Sequence, residues 1–438
     1  MAKKLLALAF VAALVIAFAM PAMAEVKTIK VGGDLVIRGI MRDNLDFTKK
    51  SSSPVDDGNI GYNTTTARLF VAAELSDNVS VMVRLLNERV WDEESSSTTA
   101  VDLDLAYIKM GDLFAPGLTA TLGRQEILLG KGFVVGNAIP NGSNVQLTGT
   151  SVDLSDLSAR KAFDAVRLDY EVGVVPLTFT LFKAKINEAN DTASSTTGEA
   201  DLTGLNAAYK IADNAVIEGY LLNAHRHINA EAADINTFGL RADHNVLSVP
   251  GLAYSIEAAC QFGDTGNATV TDQEALAGDV DVSYTFANPY QPKIGVAWAY
   301  YSGDDPNVSD SDNEAWVPLY PDGTADRIGS LLYAIVGAPT NASIPKVYGS
   351  FKPADKHTVN LAWFPDTRLV EDESTSNKSR EVGWEVDLGY TYQYTSDVSF
   401  GLLLGYMKAG DNIKNGISPV TDFDDEAMEA IGTVAVAF

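Results

Sequence analysis

The 438-residue sequence contains one cysteine, Cys260, and four histidines. A single cysteine excludes an internal disulfide framework. No histidine has a recognisable nucleophile or acidic partner in a catalytic motif, so the sequence does not predict an enzyme. Histidines at 225 and 227 lack the third ligand that a zinc site needs, and we expect neither a metal site nor a cofactor.

Basic residues are also scarce. The 32 lysines and arginines are outnumbered by 58 aspartates and glutamates, which gives a formal net charge of −26. A charge of this size and sign argues against nucleic acid as a partner, because its phosphates would be repelled.

Long apolar runs are missing except at the N-terminus. Two lysines precede a run from Leu5 to Met20, and an Ala-Met-Ala motif follows it. This arrangement predicts a secretory signal peptide over residues 1–24, with a single anchoring helix as the alternative. Residues 25–438 contain no apolar run that could form a spanning helix, and we expect them to form one domain.

The remainder of the sequence alternates between apolar and polar residues. In segments such as 278–286 and 383–394, large apolar residues occupy every second position. A period of two predicts strands with two different faces. The connections alternate between short turns and long polar loops, and the long set includes 131–162, 229–235 and 302–343.

About eighteen such strands, with short turns at one end and long loops at the other, predict an all-β fold: a closed antiparallel transmembrane β-barrel. Lipid offers no hydrogen-bond partners, so a sheet can span it only when closed on itself. A soluble sandwich or propeller is the alternative, and it predicts connections of mixed length at both ends. The predicted location is the outer membrane of a Gram-negative bacterium, with long extracellular loops, short periplasmic turns, and lipid and lipopolysaccharide as surroundings.

The last seven residues, GTVAVAF, end on Phe438 and continue the alternation. We expect them to form the final strand, which would pair with the first strand near Leu35 and Ile37 to close the barrel.

A barrel of this size is too wide for side chains to fill, so we expect a water-filled or loop-plugged channel. Charged residues on the inward faces are then the candidate functional residues. The predicted pore-lining residues are Arg38, Arg68, Arg84, Arg124, Arg167, Arg241, Asp102, Asp104, Asp169, Glu257, Asp279, Asp281, Glu385 and Asp387.

Two interpretations of these charges remain open. They could hydrogen-bond neighbouring strands and stiffen the wall. Alternatively, arginines on early strands and acids on later strands could set up a transverse field that orients solutes. Inward acids outnumber inward arginines, which would favour a mild preference for cations.

Three loop segments have open roles. Residues 131–162 could fold into the pore as a constriction or lie on the surface. Residues 302–343 contain aromatic residues that could contact a partner. Residues 304–314 are rich in oxygen ligands but lack the spacing of a calcium-binding loop, which favours a solvated acidic loop over a calcium site.

Two stretches resemble the alginate-export family of outer-membrane barrels. GRQEILLGKGFVVGN (123–137) is similar to that family's Gly-Arg-Gln-Glu strand and glycine-containing loop. YYSGDDPNVSDSDNEAWVPLYPDG (300–323) is similar to its Ser-Gly-Asp-Asp loop and Pro-Leu-Tyr-Pro segment. The resemblance extends over residues 26–438 and implies a barrel that exports an acidic polysaccharide through a basic pore. It also implies that the barrel-assembly machinery recognises the terminal aromatic, Phe438.

The predicted lumen departs from this family pattern because it is acidic and would repel a polyuronate. The first expectation is therefore a porin-like channel through which small hydrophilic solutes or ions diffuse. A polysaccharide export channel and a scaffold that binds a partner through its loops or lumen are the alternatives. The sequence leaves open whether the barrel is a monomer or a trimer.

Overall fold

The computed structural model describes most of the barrel chain and excludes the predicted signal peptide. The described residues are 26–48, 60–92, 100–138, 154–187, 199–228, 231–246, 248–267, 270–306, 311–372, 379–416 and 423–438.

Eighteen long strands form one continuous antiparallel sheet, as the alternation predicts, and a two-residue strand, β14, adds to β12. The strands are β1 Thr28–Asp43, β2 Ile60–Glu74, β3 Val79–Val90, β4 Asp102–Met110, β5 Leu118–Gln125, β6 Phe163–Glu171, β7 Leu177–Asn187, β8 Ala200–Ala212, β9 Ala215–Ile228, β10 Glu231–Asn245, β11 Leu252–Asp264, β12 Asp272–Thr285, β13 Lys293–Tyr301, β14 Asp312–Asn313, β15 Ala342–Ala354, β16 His357–Arg368, β17 Glu381–Gln393, β18 Val398–Ala409 and β19 Glu426–Ala437.

The first and last strands close the sheet into a barrel. β1 pairs with β19, and the register places Leu35 opposite Val436 and Ile37 opposite Val434, as predicted. The backbone N–H of Phe438 donates to the carbonyl of Gly33 at 3.0 Å, and the N–H of Gly33 donates back at 2.9 Å. Closure leaves no unpaired sheet edge within the membrane, where an open edge would have no hydrogen-bond partner.

Each strand has an exposed outer face and a more buried inner face. On β12, Ala275 is 2% exposed and Ala277 is 4% exposed, whereas Leu276 between them is 59% exposed. Large apolar residues fill the outer face and meet lipid, while the inner face meets water or the loops that fold into the barrel.

The strict alternation of short and long connections fails at one place. β9 ends at Ile228 and β10 begins at Glu231, so the prediction of a long loop over 229–235 is wrong. The two strands extend further than their composition indicated, because they pair with each other as far as Ile228 and Glu231, on either side of the two-residue connection.

Within the described residues the helices are short and lie in the connections. They are the 3₁₀ turn Ser155–Leu157 and the α-helices Thr324–Ile328, Ser330–Val336 and Asp411–Gly416. None of the described helices combines the length and apolar character that crossing a membrane would require.

Candidate functional site

Two of the connections fold inward and narrow the barrel. We call residues 126–138, 154–162 and 315–337 the inner layer. Phe133 stacks on Tyr301 of β13 with ring centroids 5.6 Å apart, and Tyr320 meets Phe163 of β6 edge-on at 5.8 Å. The inner layer is therefore packed against the wall by aromatic contacts and is not a solvated surface loop.

Backbone hydrogen bonds join the two parts of the inner layer to each other. The N–H of Gly136 donates to the carbonyl of Tyr320 at 2.7 Å, and the N–H of Asp322 donates to the carbonyl of Gly132 at 2.8 Å. The Lys161 ammonium adds an ion pair to Asp322 at 2.7 Å. Of the segment 131–162, residues 131–138 and 154–162 thus form a constriction, whereas residues 139–153 lie outside the described part.

Two aromatic residues of 302–343 are buried and do not form a contact surface. Trp316 is 3% exposed and Tyr320 is 7% exposed, because both pack inside the barrel. Burial also raises the pKa of the Tyr320 hydroxyl, which therefore stays protonated at neutral pH. Trp316 and Tyr320 are therefore not available to an external partner, whereas partner binding through the long loops stays a prediction. Residues 307–310 of the acidic stretch 304–314 lie outside the described residues, and calcium binding there stays a hypothesis.

Most arginines on the inner faces of the early strands lie close to a carboxylate. The Arg68 guanidinium lies 2.9 Å from Asp34, and Arg84 bonds both Asp104 and Glu126. On β6, Arg167 lies 2.9 Å from Asp169, whose carboxylate also accepts a hydrogen bond from Thr180. These ion pairs compensate the arginine charges locally.

Arg38 is different from its neighbours. Within the described residues it forms no ion pair, and its Nη1 atom is buried without a hydrogen-bond partner. The hydroxyls of Thr64 and Thr66, on the adjoining strand, are also buried and unpaired. Arg38 therefore keeps a positive charge in the lumen that no direct contact neutralises.

On the middle strands, Arg241 of β10 lies between two acids. Its Nη1 atom is 2.8 Å from Glu218 and its Nη2 atom is 2.7 Å from Asp243. Lys131 of the inner layer lies 3.4 Å from the same Asp243. These ion pairs therefore join β10 of the barrel wall to the inner layer.

Arg42 and Arg160 belong to the site but are missing from the predicted set. Arg42 lies 2.9 Å from Glu429 of β19 and 3.0 Å from Asp156 of the inner layer. Arg160 lies 3.6 Å from Glu88 and also contacts Asp102. Burial lowers the pKa of the Arg160 guanidinium, and Glu88 opposes the shift.

A sequence signal was available for Arg42 but not for Arg160. Arg42 continues the even-numbered inner face of β1 four residues beyond Arg38, so strand periodicity could have found it. Arg160 comes from a loop, where no period applies.

Acids on the later strands bond mostly to neutral donors. The Glu257 carboxylate accepts from the Tyr220 hydroxyl at 2.8 Å, and Asp281 accepts from Tyr348 at 2.7 Å. Glu385 and Asp387 accept hydrogen bonds from backbone N–H groups of the inner layer. Two acids are exceptions, because Asp279 lies 3.6 Å from Arg327 and Glu429 pairs with Arg42.

The predicted separation into a basic wall and an acidic wall is incomplete, because two lysines stand among the later strands. The Lys293 and Lys346 ammonium groups lie 5.2 Å and 4.9 Å from the ring centroid of Tyr348. Both residues line a cavity of about 380 Å³ that also includes Asp326 and Asp387. Lys293 and Lys346 occupy the same alternate positions as the buried residues of their strands. Strand periodicity could therefore have identified both lysines as inward-facing.

The placement of Arg124 in the lumen is wrong. In the pairing of β3 with β4, Arg84 is opposite Leu105 and Leu85 is opposite Leu103, so Asp104 is an extra residue that forms a bulge. Beyond a one-residue bulge every side chain changes face. The register pairs Arg124 with Ala106 and Asp164, which share the outer face, and Arg124 lies 3.5 Å from Asp164.

The same bulge turns Tyr107 to the inner face, although regular alternation from Leu103 would place it on the lipid face. Tyr107 lines a small inner cavity together with Lys30 and Glu74. Asp102 and Asp104 remain inside, in contact with Arg160 and Arg84.

Comparison with known proteins places this barrel in context. The alginate export family model matches residues 27–423. No curated protein matches the sequence. The fold is similar to outer-membrane porins of solved structure, at sequence identities that carry information on fold alone.

Three of these porins illustrate the likeness. OpdQ of Pseudomonas aeruginosa is 13% identical with a TM-score of 0.58, and the match covers 95% of this chain and 99% of that chain. OccK11 (OpdR) of Pseudomonas aeruginosa is 12% identical with a TM-score of 0.57, covering 94% and 96%. OccAB4 of Acinetobacter baumannii is 14% identical with a TM-score of 0.54, covering 95% and 99%.

Proposed function

The chain belongs to the alginate export family, and from that premise we propose that small hydrophilic solutes or ions diffuse through its lumen with a mild preference for cations. As a closed barrel of eighteen long strands in this family, the protein is a channel of the Gram-negative outer membrane. The proposal concerns which solutes and ions the channel conducts.

The observation that carries the cation preference is how the inner charges are paired. Most inner-wall arginines directly contact carboxylates, as Arg68 does with Asp34, so their charge is compensated. By contrast, Asp281 accepts its hydrogen bonds from the neutral hydroxyl of Tyr348, which leaves the negative charge of its carboxylate in place. An uncompensated charge in a narrow, water-filled path attracts ions of opposite sign.

The proposal is tested by a bilayer recording of the refolded protein under a salt gradient. At ionic strengths near 0.01 M, where screening is weak, we expect a reversal potential of the sign that cation selectivity requires. Replacing Asp281→Asn should reduce that potential, whereas Asp77→Asn, on an exposed periplasmic turn, should leave it unchanged. A clearly anion-selective reversal potential in the wild-type protein would overturn the proposal.

The family description supports a second candidate, export of an acidic polysaccharide. The inner layer and the uncompensated acids both argue against it, because a polyuronate is bulky and negatively charged. An added polyuronate distinguishes the two: reversible block of the current supports export, and unchanged current supports diffusion of small solutes. A barrel that does not conduct at all would instead favour the scaffold alternative.

A further inference from the structure

One part of the inner layer is held by carboxylates of the barrel wall. Residues 323–337 contain the helices Thr324–Ile328 and Ser330–Val336, joined at Gly329. The second helix lies inside the barrel against β17, β18 and β19. It is too short to be stable alone, so wall contacts must determine where it sits.

Two neighbouring inner residues of β17 bind the start of the second helix. The Glu385 carboxylate accepts the N–H of Leu331 at 2.7 Å and the N–H of Leu332 at 2.9 Å. Asp387 accepts the N–H of Ser330 at 3.1 Å, and the Ser330 hydroxyl donates to Glu429 of β19. Four hydrogen bonds thus hold the first turn of this helix against the wall.

Gly329 makes this approach possible. A Cβ atom at position 329 would lie 2.5 Å from the Glu385 carboxylate, and the glycine has a φ of 106°, which other residues rarely adopt. The absence of a side chain therefore lets the carboxylate reach the amide groups that follow.

Residues beside the contact between Glu385 and the second helix border open space in the lumen. Leu331 and Leu332 are buried against the wall, whereas Ser330 and Asp326 border the 380 Å³ cavity together with Asp387. If residues 323–337 moved away from β17, this cavity would join the remaining lumen.

We propose that Glu385 and Asp387 are positioning residues that latch residues 323–337 inside the lumen, so that loss of the latch widens the conducting path. The inference rests on the proposed function for its effect on current, but the position of the segment is independent of it. Glu385, expected from sequence to act on passing ions, acts instead through the constriction.

The test measures segment position and current separately. In a Cys260→Ala background, a cysteine introduced by Leu332→Cys reports exposure of the segment to a charged maleimide. Glu385→Ala should raise the labelling rate about tenfold, because the two hydrogen bonds lost together amount to about that factor. Single-channel conductance of Glu385→Ala should also exceed that of the wild type.

Two further variants separate latching from general stability. Glu385→Gln retains one oxygen acceptor and should label at an intermediate rate. Glu257→Ala removes a buried inner acid that bonds Tyr220 rather than the inner layer, and it should label at the wild-type rate. All variants are first checked for heat-modifiable migration, which reports a closed barrel.

The outcomes distinguish failure of the latch from failure of the channel. Unchanged labelling in Glu385→Ala, or an equal rise in Glu257→Ala, would overturn the latch. Absence of current in the wild-type protein would overturn the proposed function, whatever the labelling shows.

Discussion

Deleting Phe438 is expected to remove most of the folded protein from the outer membrane while leaving export to the periplasm intact. Phe438 forms the last two backbone hydrogen bonds of the seam, both with Gly33. We also propose that the barrel-assembly machinery recognises this terminal aromatic, so deletion would affect both recognition and closure. The measurement is the heat-modifiable fraction in outer-membrane preparations, compared with unfolded protein in the periplasm.

A point substitution tests the closure part alone, because it keeps Phe438. A Cβ atom at Gly33 would lie 2.3 Å from the backbone carbonyl of Arg68 and 2.9 Å from the Phe438 ring, so Gly33→Val should also impair assembly. Gly61→Val is the matched control, since no atom lies within 4 Å of a Cβ there. If the deletion variant assembles normally, Phe438 is only an aromatic residue of the membrane interface.

The largest expected loss of stability comes from Arg42→Ala. Arg42 and Glu429 are each 3% exposed, and Arg42 also joins Asp156 of the inner layer to the wall. Removing one partner of a buried ion pair leaves the other charge buried without compensation, which costs about 3–5 kcal/mol. The change is measured as a lower temperature midpoint for the loss of heat-modifiable migration.

Arg167→Ala is the control for this prediction. The Arg167 side chain is 32% exposed and its partner, Asp169, lies on the same strand. Removal of the Arg167 side chain should therefore cost about 1 kcal/mol or less. Replacing both partners of the more buried pair, Arg42→Met with Glu429→Leu, should recover part of the lost stability, because only Asp156, whose side chain is 13% exposed, then loses its partner. Equal midpoints for Arg42→Ala and Arg167→Ala would contradict this account.

The sequence by itself determined the barrel, because lipid imposes a pattern that is local. A strand between lipid and lumen must alternate its side chains, and a spanning sheet must close on itself. That alternation was sufficient to predict the number of long strands, the seam at Leu35 and Ile37, and the inward positions of residues such as Arg68 and Asp281.

Strand alternation alone predicted the wrong face for residues that follow a bulge in the backbone. The bulge at Asp104 carries no distinctive residue type, yet it turns Arg124 to the outer face. A bulge is decided by how two strands pair, and pairing involves residues that are distant in the sequence.

Only the tertiary structure decided what the inner charges do. Arg42 meets Glu429 across the seam, 387 positions away, and Glu385 meets the backbone of a loop that the sequence left unplaced. An ion pair or an amide contact depends on distances between such segments, which closure of the barrel and folding of the inner layer establish together. Periodicity states which face a side chain takes, but only the folded chain brings it a partner.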